Sequence, residues 1–83
     1  MTIKWRDVRH QQTAFLAEFA QGENCWASAR LIILKGPRYL VKLEVRCVGK
    51  KPWVFERQYM RLPFAIDTYN RKKAEAIRRL EEN

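Results

Sequence analysis

Cations and flat rings recur together in this sequence. Trp53 follows Lys50-Lys51-Pro52, and Tyr59 lies between Arg57 and Arg61. Further along, Arg71, Lys72 and Lys73 are followed by Arg78 and Arg79. Lysine and arginine neutralise phosphates, and aromatic side chains stack on bases or sugars. Seventeen Lys and Arg against nine Asp and Glu give a formal charge of +8 on 83 residues. A charge of that size favours a polyanionic partner. The candidate contacts are Lys50, Lys51, Arg57, Arg61, Arg71, Lys72 and Arg79. Neither a recognition-helix turn nor a zinc-finger spacing accompanies them. The expected function is therefore nucleic-acid binding, to DNA or RNA, through the backbone and with little sequence preference.

Catalytic chemistry is much thinner. The chain has one serine, Ser28, and one histidine, His10, with no motif around either. A nucleophile elbow, a phosphate-binding glycine loop and a dinucleotide fingerprint are all missing. Glu44 and Glu56 could approach each other across two strands, but Lys42, Arg46 and Arg57 surround them, so charge pairing accounts for both. Cys25, Cys47 and His10 lack the spacing of a zinc site, which wants four ligands. No enzyme activity, metal or cofactor is expected. Two cysteines in a chain whose first residues carry no secretory h-region are read as reduced thiols in a cytoplasm. No apolar run is long enough to span a membrane.

The elements that must position these groups follow from periodicity. One small domain, residues 1–83, is expected at this length. From Trp5 to Gln21, the apolar residues Trp5, Val8, Phe15, Leu16 and Phe19 fit one helical stripe, with Gly22 after it as a C′ residue. Three strand-like stretches follow, Cys25 to Leu34, Tyr39 to Val48 and Trp53 to Leu62. Lys35-Gly36-Pro37-Arg38 and Gly49-Lys50-Lys51-Pro52 separate them, and connections so short require antiparallel neighbours.

Matching apolar faces pairs Ile33 with Tyr39, Leu31 with Val41, Ala29 with Leu43, Ala27 with Val45 and Cys25 with Cys47. The same register sets Trp26 beside Arg46 on the other face. In the third strand Arg57 and Arg61 break the alternation, which implies either a bulge near Arg57–Gln58 or an edge strand. From Pro63 to Asn83, Ile66, Tyr69, Ala76, Ile77 and Leu80 form a helical stripe. Pro63 suits a first turn, and Asp67 or Thr68 a later N-cap. The expected fold class is α+β, in the order α-β-β-β-α, with a three-stranded antiparallel meander packed against two helices.

That order, the stretch from Gly36-Pro37 to Gly49, and Arg71-Lys72-Lys73-Ala74-Glu75-Ala76 resemble the double-stranded-RNA-binding domain. The resemblance implies that Lys72 and Lys73 touch phosphates across a major groove. The chain departs from that family in a longer approach to the lysines and in lysines set inside the helix. A second reading comes from another class: a small inhibitor or adaptor, of the kind phages and mobile elements encode, that binds an acidic host-protein surface. Trp26, Ile32, Leu40 and Met60 on the outer sheet face would be its interface, or that of a homodimer.

Overall fold

In the computed structural model, which describes residues 2–9 and 15–82, five antiparallel strands form one sheet and a single helix crosses one face of it. The strands are β1 (Arg6–Asp7), β2 (Leu16–Gly22), β3 (Cys25–Leu34), β4 (Arg38–Cys47) and β5 (Trp53–Tyr59), and the helix is α1 (Leu62–Glu81). Strand order in the sheet follows the chain, so β1 and β5 are the edges.

Among the described residues the expected N-terminal helix is not present. Where it was expected, β1 pairs with β2 through Arg6 and Phe19, and β2 pairs with β3 from Leu16 opposite Leu31 to Gly22 opposite Cys25. The sequence LAEFAQG carries apolar residues on both of its strand faces, which hides a period of two and leaves helix-forming Ala, Glu and Gln to dominate the local signal. Pairing to β3 overrides that propensity. The joint is the two-residue turn Glu23-Asn24, where Asn24 takes a φ of 57°. Asparagine tolerates this left-handed geometry, which tight hairpins need. Gly22 is therefore a strand residue and not a helix cap. His10 and the remainder of the expected helix across 10–14 lie outside the described residues.

The register of the meander is as anticipated. Ile33 faces Tyr39, Leu31 faces Val41, Ala29 faces Leu43, Ala27 faces Val45, Cys25 faces Cys47, and Trp26 faces Arg46. β5 pairs regularly with β4, from Tyr59 opposite Tyr39 to Trp53 opposite Val45, so no bulge interrupts it. Arg57 keeps the inner-face parity and stays exposed because β5 is an edge. The strand ends at Tyr59, and Leu62 already belongs to the helix.

α1 opens with Pro63 in its first turn, where a missing N–H costs nothing. Arg61 occupies the N-cap position, so Asp67 and Thr68 lie within the helix. Its buried residues Ala65, Thr68, Tyr69, Ala76 and Leu80 face the inner side of the sheet. Ala20, Ala27 and Ala29 below, with Ala65 and Ala76 above, let the helix sit close, while Leu31, Leu43, Val41, Tyr69 and Leu80 fill the volume. At the helix's far end, Gly22 lies so close that a Cβ there would stand 3.4 Å from Ile3 and 3.7 Å from the Leu80 carbonyl oxygen. Tyr69 Oη donates to Glu18 at 2.7 Å, and Lys73 Nζ lies 2.6 Å from the same carboxylate oxygen, which pins the helix to β2.

The cysteines are not free thiols. Cys25 and Cys47 are joined by a disulfide across β3 and β4. Among the described residues, no helix is long and apolar enough to cross a membrane.

Candidate nucleic-acid interface

β5 presents Trp53, Phe55, Arg57 and Tyr59 on the inner side of the sheet, because alternate residues of a strand share a face. The helix lies over the centre of the sheet and leaves this edge only half covered, so the three rings are half-buried. Each ring holds a cation. The Arg79 guanidinium stands 4.9 Å from the centre of Trp53, Lys72 Nζ 4.7 Å from Phe55, and the Arg57 guanidinium 5.5 Å from Tyr59. Such contacts are worth about 0.5–1 kcal/mol at exposed sites, enough to bias where a long side chain rests.

Helical geometry explains which cations reach β5. Lys72 and Arg79 are seven residues apart, close to two full turns, and so project from the same side of α1. Glu75 lies between them, 3.2 Å from Lys72 Nζ and 3.7 Å from Arg79. Lys73, one residue on from Lys72, points to the opposite flank and the Glu18 carboxylate. Adjacent helical lysines thus serve opposite flanks of α1. The resemblance to the double-stranded-RNA-binding domain implied both lysines on one surface and a helix before the sheet; here the two lysines point to opposite flanks of α1, and among the described residues no helix precedes the sheet. Arg71 is exposed, ion-paired to Asp67 at 2.9 Å and hydrogen-bonded to Thr68, so its partners are on its own helix.

Lys50 and Lys51 extend the row at one end. They belong to the turn after β4, in which the Lys50 N–H donates to the Cys47 carbonyl and Gly49 takes a φ of 79°. With Val45, Cys47, Trp53 and Arg79 they line an open cavity of about 210 Å³. Arg61 marks the other end, exposed at the start of the helix. Of the seven cations singled out by sequence, Lys50, Lys51, Arg57, Lys72 and Arg79 meet along β5, Arg61 follows its end, and Arg71 stands apart. Phe55 completes the row but was not among the expected contacts. Its shared parity with Trp53 was the available signal.

The outer sheet face is differently organised. Ile32 faces Leu40 at one end, where Met60 is 70% exposed, while Trp26 stands beside Arg46 toward the other. A charged band separates them. Lys42 lies 3.7 Å from both Glu44 and Glu56, and Arg46 Nε lies 2.9 Å from Glu44. The four residues of the alternative interface therefore form no continuous apolar patch. The two glutamates are held by Lys42, as charge pairing required. Compared with known proteins, the chain matches no family model, no curated protein and no solved structure.

Proposed function

We propose that this chain is a small nucleic-acid-binding domain that takes a sugar–phosphate backbone along the cleft between β5 and α1. The observation that carries the reading is the row of three rings on one strand, each matched with a cation, and two of those cations come from a different element. Mutual repulsion opposes gathering Lys50, Lys51, Arg57, Lys72 and Arg79 along one edge. Phosphates relieve the repulsion and release counterions. Sequence preference is expected to be weak, since the groups along the cleft are long cations and ring faces, which suit phosphates and any base.

The test is a titration of labelled single- and double-stranded DNA and RNA at two salt concentrations. Binding with a steep, linear fall of log affinity against log salt is the expected result. Failure to bind any of the four below about 100 μM at low salt rejects the reading, because non-specific binders commonly reach that range at physiological salt.

A further inference from the structure

The cavity at the Lys50–Lys51 end of the cleft has the composition of a seat for one nucleotide. Lys50, Lys51 and Arg79 give its lining three cations, and Trp53 gives it a ring. Val45 and Cys47 add apolar lining, and Glu82 adds a carboxylate acceptor. The Arg79 guanidinium over Trp53 adds a second flat surface, and bases stack on guanidinium planes as well as on rings. The volume of about 210 Å³ suits a single base with its phosphate outside, not a stacked pair.

A base can enter such a cavity only when it is out of its stack. A single strand offers that at little cost, whereas a duplex must be unstacked and unpaired at one position, for a few kcal/mol. Chain direction along β5 fits the same partner. Successive inner-face residues of a strand are about 6.7 Å apart, roughly one nucleotide step of an extended single strand. Among the described residues no strand pairs with the edge of β5 away from β4, so such a strand has room to continue past Phe55 toward Arg57 and Tyr59.

Resting on the nucleic-acid reading above, we infer that the ligand is a single strand, with one base seated against Trp53 in this cavity and its phosphate held by Lys50, Lys51 and Arg79. The experiment compares a labelled oligothymidine strand with the same strand annealed to its complement, at one salt concentration, for the wild type and Trp53→Leu. A thermal melt of the variant checks its fold. The single strand binds about tenfold more tightly than the duplex, and Trp53→Leu removes about tenfold from single-strand affinity alone, the size expected for one stacked base. A second readout does not depend on that variant. In a Trp5→Phe, Trp26→Phe background the remaining Trp53 fluorescence changes on saturation with the single strand and not with the duplex.

Equal affinity for both forms, an equal loss on both in Trp53→Leu, or an unresponsive Trp53 at saturation overturns the inference while leaving nucleic-acid binding intact. Absence of binding to either form removes both.

Discussion

Single carboxylates set the behaviour of the cations around them. Glu75 lies between Lys72 and Arg79 and competes with any phosphate for both. Exposed ion pairs contribute about 0.2–1 kcal/mol, so Glu75→Gln should strengthen nucleic-acid binding by roughly two- to fivefold. A titration showing weaker binding in that variant would mean that Glu75 orients the pair more than it neutralises it. Glu18 acts on the other flank, where the Tyr69 hydroxyl donates to it. Burial first, and then the hydrogen bond and charge of Glu18, push the Tyr69 pKa well above its ordinary 10.0. In the unfolded chain the phenol ionises near that ordinary value. A folded pKa raised above the unfolded one stabilises fully below about pH 10, and this contribution is lost as pH climbs beyond it. Urea unfolding should therefore show stability falling between about pH 10 and 11 in the wild type, with a shallower fall in Tyr69→Phe. The same variant should lose about 1 kcal/mol at neutral pH through the missing hydrogen bond.

Among the elements, the β3–β4 hairpin was readable because its two strands alternate cleanly and only one register matches their apolar faces. Leu43 sits at its centre with no exposed surface, flanked by Ala29 and Phe55 on the neighbouring strands. Leu43→Asp should abolish the cooperative thermal transition, since a buried unpaired carboxylate costs more than about 3 kcal/mol. An unchanged melting temperature would contradict the assignment of inner and outer faces. β2 was unreadable for a physical reason. Glu18 stands on its inner face and Phe19 on its outer one, so the pattern inverts what a half-buried strand usually shows. The inversion makes sense only once Tyr69 and Lys73 arrive from α1 to meet Glu18, a contact 51 and 55 residues distant along the chain. The Cys25–Cys47 pair was legible as neighbours but not as a bond. Matching apolar faces already set the two side chains opposite each other, but the lack of a secretory h-region pointed to reduced thiols, whereas the structure joins them.

Across the whole molecule, five of the seven cations named from sequence share the β5 edge, and their grouping there needed the helix direction. Helical spacing alone groups Arg71 with Arg78 and Lys72 with Arg79, each pair seven residues apart. Packing then turned Lys72 and Arg79 onto the rings of β5 and left Arg71 with Asp67. This separates two explanations of nucleic-acid affinity, overall charge and local placement, and a matched pair of variants decides between them. In the first, Lys50, Lys51, Lys72 and Arg79 become Gln. In the second, Lys4, Arg6, Arg30 and Lys35 become Gln, all of them exposed and none on β4, β5 or α1. Both remove four positive charges from a chain of formal charge +8, so long-range attraction falls equally. Each phosphate contact on a single strand contributes about 0.7 to the slope of log affinity against log salt. The cleft variant should therefore lose up to about 2.8 from that slope, and the second variant much less. Equal losses in the two would show that binding follows net charge alone and would remove the cleft between β5 and α1 from the account.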